Sequence, residues 1–156
     1  MFERILVCLD GSQLAEQILP YATEEALRFH SRLTLLEVVT VPTTVARAEA
    51  SGPPSQTGGW IEETMHREEK EAKVYLENVA KPIRGRGVNL ESVAVQGSPI
   101  GDIIVNYAKN NNTDLICIAT QGHSGLGRVV FGSVADYVIR KSGLPILVIK
   151  PQELDT

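Results

Sequence analysis

Three short runs of unbroken apolar sequence constrain this chain more than any other feature. They are Ile5-Leu-Val-Cys-Leu9, Leu115-Ile-Cys-Ile-Ala119 and Ile146-Leu-Val-Ile149. Each is too short for a core helix. Each also lacks the alternation of a strand with one wet face, so burial on both faces is expected, as in a parallel sheet. Two more mixed segments, Leu33–Val39 and Asn89–Gln96, also read as strands. Between the five lie stretches with apolar residues at helical spacing. Gly11 turns the chain, Ser12 can cap a helix running to about His30, and Pro20 is expected to kink it. Its inward residues are Leu14, Ile18, Leu19, Ala22, Ala26 and Phe29. Ile61, Met65, Glu68, Ala72, Tyr75, Leu76 and Val79 mark a second helix with a mostly apolar stripe and a solvated Glu- and Lys-rich face. Ser98-Pro99 reads as the start of a third, Ser as cap and Pro at the first helical position, ending at Asn110-Asn-Asn112. Such alternation predicts an α/β fold: an open parallel sheet with helices on both faces.

The chain has 156 residues, enough for one domain, 1–156, with a real core. Its net charge is -4, and no run of Lys or Arg exceeds two, so no nucleic-acid partner is expected. No apolar stretch approaches the roughly 20 residues that span a bilayer, and the first residues read as a strand, not a signal peptide. No membrane association and a cytoplasmic location are the expectation. Residues 41–60 are rich in Thr, Ala, Gly, Pro and Ser and read as a flexible loop, either a lid or a tolerated insertion, the latter favoured. Cys8 and Cys117 sit inside apolar runs and read as buried, reduced thiols, too few for a zinc site.

The last third points to a ligand. The strand ending at Ala119 is followed by Thr120-Gln-Gly122, nine residues, then Gly132-Ser133-Val134 and an amphipathic helix. That order aims backbone N–H groups and a positive helix end at one point, where a phosphate could sit. Gly127 to Ser133 approaches a P-loop but lacks the Lys that reaches the outer phosphates. In open sheets ligands bind at the carboxyl ends of strands near the topological switch point, and Asp10, Val38 and Ala119 lie at such ends.

These residues resemble the universal stress protein family over essentially the whole chain. The opening Ile5-Leu-Val-Cys-Leu-Asp-Gly-Ser12 is similar to the family's first strand and turn. Gly122, the nine residues His123 to Phe131, and Gly132-Ser133 match most of the glycine motif of its ATP-binding branch, and Pro145–Ile149 resembles its closing strand. Two positions depart: Ala119 replaces the first motif Gly, and Cys8 replaces the usual Pro. The resemblance implies a Rossmann-like five-stranded sheet of order 3-2-1-4-5. It also implies ATP as ligand, with Mg²⁺ on its phosphates, or alternatively AMP or cyclic AMP. The implied contacts are Cys8, Asp10, Val38 (through its backbone), Ala119, Thr120, Gln121, Gly122, His123, Ser124, Gly125, Gly132, Ser133 and Val134.

Several roles stay open. Asp10 could meet ribose hydroxyls, help hold a metal through water, or simply form a turn with Gly11. If the site needs positive φ at Ala119, binding is weakened; with strand angles its methyl group is the only cost. His123 reads as solvent-facing or as a phosphate donor rather than a base. Ser133 has no visible activating His–Asp pair, so the sequence favours binding over turnover, with at most weak ATP hydrolysis. The leading expectation is an ATP-binding regulatory module that dimerises through residues 144–150. A ligand-independent dimeric scaffold and a slow ATPase are the alternatives. Because the family order makes strands one and four neighbours, Cys8 and Cys117 are expected close together, yet as free thiols.

Overall fold

The computed structural model of the chain describes residues 1–41, 47, 51, 58–120 and 132–154. The strands are β1 (Arg4–Leu9), β2 (Arg32–Val39), β3 (Asn89–Gln96), β4 (Leu115–Ala119) and β5 (Ile146–Ile149). They form one parallel sheet of order β3-β2-β1-β4-β5, Rossmann-like as expected. The helices are α1 (Gln13–Glu16), α2 (Leu19–Phe29), α3 (Gly58–Arg84), α4 (Ile100–Asn110) and α5 (Ser133–Lys141).

The unbroken apolar runs are explained by two cores, one on each side of the sheet. Ile5, Val7 and Leu9 pack with Ile18, Ala22 and Ala26 of the α1–α2 segment and with Leu76, Ala80 and Ile83 of α3. Leu6, Cys8, Ile116 and Ile118 pack on the other face with Ile104 and Ala108 of α4 and Ala135 and Val138 of α5. β1 from Ile5 onward and β4, covered on both faces, are therefore apolar at every position. A fully buried Leu or Ile contributes roughly 1.5–3 kcal/mol.

The start of β1 is tied to the start of β4. Asp114 accepts hydrogen bonds from the N–H groups of Glu3 and Arg4, both 2.9 Å. The C-terminal segment is tied to the α1–α2 elbow. Gln17 Nε2 donates to the Gln152 carbonyl at 2.8 Å, and Gln152 N–H donates to Gln17 Oε1 at 2.9 Å.

Three local expectations are corrected. Pro20 does not kink one helix but separates two, sitting in the first turn of α2, where its missing N–H leaves no bond unmade. Pro99 lies one position earlier than expected. It is itself the N-cap of α4 with extended ψ, so Ser98 stands outside the helix and forms no cap hydrogen bond. The 41–60 loop falls largely outside the described residues, but its last three positions are helical. α3 begins at Gly58, ahead of its apolar stripe, and carries Trp60 there 67% exposed.

Candidate functional site

The chain leaves β1 toward β2 and β3 on one side, then crosses back so that β4 lies against β1 on the other. The carboxyl ends of β1 and β4 thus flank the switch point, where open sheets of this kind bind ligands. A cavity of about 290 Å³ lies there. Cys8, Leu9 and Asp10 line it from β1 and the residue after it, and Ile118 and Ala119 from β4. Ile100 and Ile104 line it from α4, Gly132 to Ala135 from the start of α5, and Ala15 from α1.

Six expected site residues meet in this cavity: Cys8, Asp10, Ala119, Gly132, Ser133 and Val134. Val38 does not line it; it packs on the same face of the sheet one strand away. Thr120 is buried beside it with its hydroxyl and N–H both donating to the Ile149 carbonyl, at 3.3 and 2.9 Å, so it extends the pairing to β5. Gln121, Gly122, His123, Ser124 and Gly125 lie outside the described residues. The sequence reading missed the apolar wall, Ile100, Ile104 and Ala15. Ile100 and Ile104 recur at helical spacing, which marks core-facing positions but not which of them end at an opening, and nothing local marks Ala15.

The turn after β1 shows what Asp10 does locally. Its Oδ1 accepts from the Ser12 N–H at 2.9 Å and from the Ser12 hydroxyl at 2.5 Å. The same hydroxyl oxygen accepts from the Ala15 N–H at 3.1 Å, capping α1. Gly11 makes this turn at φ +82, which a residue with a side chain rarely adopts. The turn role of Asp10 is therefore real, and it holds the carboxylate at the cavity wall.

Ala119 stands in strand conformation where the family motif has its first glycine. It is the last residue of β4, paired with Ile149, and the only positive-φ residues other than glycine among those described are His30 and Asn112. Ala119 therefore has no positive φ, and its methyl group forms part of the cavity wall. At the facing wall α5 starts from Gly132, which has no side chain to cap it and makes no side-chain cap hydrogen bond. The first-turn N–H groups of Ser133 and Val134 belong to the positive end of this nine-residue helix.

A second contact joins the two helices of the wall. The Tyr137 hydroxyl donates to Asp102 Oδ1, which holds the phenol above its ordinary range. The Tyr137 ring covers Gly101.

On the opposite face, below the same sheet end, Glu37 pairs with Leu9 and turns toward α3. Its Oε2 is buried with no hydrogen-bond partner among the described residues. Burial raises its carboxyl, and the carboxylates of Asp10 and Glu68 raise it further. The Tyr75 hydroxyl is likewise pushed up, first by burial and then by Glu16. No sequence pattern marked Glu37, because a lone acid in a strand reads as solvent-facing. Among the described residues no group of three or more His, Cys, Asp or Glu could hold a metal ion.

The architecture and sequence are shared with known proteins. A universal stress protein of Methanocaldococcus jannaschii is 32% identical over 152 residues, covering 96% of this chain and 83% of the relative. One of Bacillus subtilis is 29% identical over 150 residues, covering 96% of this chain and all of the relative. Among solved structures, the universal stress protein from Archaeoglobus fulgidus in complex with dAMP is similar at 27% identity and a TM-score of 0.64. That similarity covers 95% of this chain and 98% of the other. Residues 1–150 match the pattern of the family as a whole, and with that full-length match the chain belongs to the universal stress protein family.

Proposed function

We propose that this protein is a regulatory module that binds an adenine nucleotide, ATP first, in the cavity between β1, β4 and the start of α5. The carrying observation is the convergence of Asp10, Ala119, Gly132 and Ser133 on one cavity at the switch point. Its volume, about 290 Å³, is near the lower end for small-molecule pockets. The apolar wall of Ile100, Ile104 and Ile118 suits the nucleoside. The α5 N-terminus suits phosphate through the N–H groups of Ser133 and Val134. Asp10 stands where it can accept from ribose hydroxyls. The strand conformation of Ala119 supports this reading, since its methyl group is then the only cost of the departure from the glycine motif. The dAMP complex of the Archaeoglobus fulgidus relative supports the choice of ligand class. Gln121 to Gly125 join the site on the resemblance alone.

The described residues offer a Mg²⁺ ion only the single carboxylate of Asp10 at the cavity, so the ion would ride on the phosphates, with Asp10 reaching it through water. Such an ion would neutralise phosphate charge, which no described Lys, Arg or His does at this wall.

In this reading residues 1–156 are one domain working in the cytoplasm, and no described helix is long and apolar enough to cross a membrane. Two copies pair through residues 144–150, because β5 ends the sheet. Nucleotide would stabilise one arrangement of that dimer. Titration calorimetry of ATP, AMP and cyclic AMP against the purified protein tests the reading. Saturable binding of at least one is expected, and heat of dilution alone for all three would refute it.

A further inference from the structure

We propose that Tyr137, packed on Gly101 and hydrogen-bonded to Asp102, is a positioning residue that sets where the phosphates are held. This rests on the nucleotide reading above and assigns the part of the molecule that fixes the geometry of its site.

Two helices form the wall opposite the strands. Ile100 and Ile104 come from α4, and Gly132 and Ser133 from the start of α5. One turn further along α5, the Tyr137 ring lies on Gly101. A Cβ at Gly101 would stand 2.5 Å from Tyr137 Cδ1 and 2.9 Å from Cγ. These atoms are near the root of a rigid side chain and cannot swing aside. Gly101 lies inside α4 with no positive φ, so glycine serves close approach there and not backbone freedom. Glycine stands here although it weakens a helix relative to alanine. The spacing of α4 and α5 is thus set by a missing Cβ.

The hydrogen bond fixes the remaining freedom. Tyr137 donates to Asp102, the residue after Gly101, which locks the ring and the position of α5 along its axis. The first-turn N–H groups of α5 move with Tyr137 as one rigid body, and hydrogen bonds weaken steeply when distance or angle is lost. Loosening the contact should misplace the phosphate donors and leave the apolar nucleoside wall in place.

The test compares ATP, AMP and adenosine binding by calorimetry in the unmutated chain, Tyr137→Phe, Gly101→Ala and Leu76→Val. Leu76 is buried on the opposite face of the sheet and supplies a loss of stability remote from the contact. Tyr137→Phe keeps the ring and should fold. It should weaken ATP and AMP by about threefold to tenfold, what one hydrogen bond contributes, and leave adenosine unchanged. Gly101→Ala should lower the ATP-to-adenosine ratio further, and Leu76→Val should not move it. An unchanged ratio in folded Tyr137→Phe overturns the proposal, as does an equal shift in Leu76→Val. If the unmutated chain binds none of the three, the nucleotide reading itself falls and this inference with it.

Discussion

Cys8 and Cys117 stand on adjacent strands and face opposite sides of the sheet. Cys117 is paired with Val7, not Cys8, and packs with Val7 in one core, while Cys8 packs with Leu6 and Ile116 in the other. One residue of register reverses the side a strand residue faces. The adjacency of strands one and four brings the thiols near each other, as the family order implies, but the pairing makes their Cβ atoms diverge, which a disulfide does not tolerate. Burial pushes the Cys8 thiol up, and burial with the Glu25 carboxylate holds Cys117 at about 12. At neutral pH neither is a ready thiolate. Diamide treatment of the native protein should leave its monomer mass unchanged, and iodoacetamide should label both residues only after denaturation. A loss of two hydrogens from the native monomer would contradict the register.

The phosphate end can be tested with one exposed residue. Ser133 is the first residue of α5 and lines the cavity. Ser133→Asp puts a negative charge at a helix N-terminus, which stabilises a helix by about 0.3–1 kcal/mol. The same charge repels phosphate. The variant should melt no lower than the parent without ligand and bind ATP at least tenfold more weakly, a difference of about 1.4 kcal/mol. Retained ATP affinity would remove the α5 terminus from the site.

Two carboxyls should respond to pH in opposite directions. Glu77 on α3 accepts from Arg84 at 2.7 and 3.1 Å and from the Ser92 hydroxyl at 2.6 Å. The Arg84 hydrogen bonds, then Ser92, lower it to about 2. Its contribution is present above the ordinary carboxylate range and is lost as pH falls toward about 2. Glu37 is raised by burial, so its ionisation costs stability as pH rises above that range. Glu77→Gln should therefore be less stable than the parent near neutrality and converge with it in acid. Glu37→Gln should be more stable near neutrality and also converge in acid. Urea melts across pH check both, and parallel curves for either variant would contradict its assigned environment.

How much of this was legible in the sequence follows from the range of the interactions. Apolar runs and turn residues are local signals, and they mark β3 residue for residue as Asn89–Gln96 and the other strands within a residue or two. The sheet order was legible only through the family resemblance. Pro20 marks a break, but not on which side of it the break falls. A proline in the first turn leaves a helix intact, so the break fell before it. The site was legible where it consists of chain ends, at Asp10, Ala119 and Gly132. It was illegible where distant side chains meet. Gln17 and Gln152 exchange two hydrogen bonds across 135 residues. Tyr137 covers Gly101 from another helix. Neither pair carries a local pattern, since each depends on how two elements pack.

The edge strand decides the assembly test. Leu147 and Ile149 pack into one core and Ile146 and Val148 into the other, so Lys at any of them would damage the monomer as well as a dimer. Backbone direction offers a cleaner probe. The carbonyls of Pro145 and Ile149 accept from Ile116 and Thr120, at 3.1 and 2.9 Å. Residues 145, 147 and 149 therefore direct their polar groups toward the sheet, and 146, 148 and 150 direct theirs outward. Proline is tolerated on an edge strand where its missing N–H would face away from the sheet. Val148→Pro should leave the fold and the β4–β5 pairing intact while removing an N–H from the open edge. If residues 144–150 pair with a second copy, the unmutated chain should scatter light as a dimer at micromolar concentration and Val148→Pro as a folded monomer. A parent that is monomeric at high micromolar concentration, or a variant that remains fully dimeric, would place the contact elsewhere or remove it.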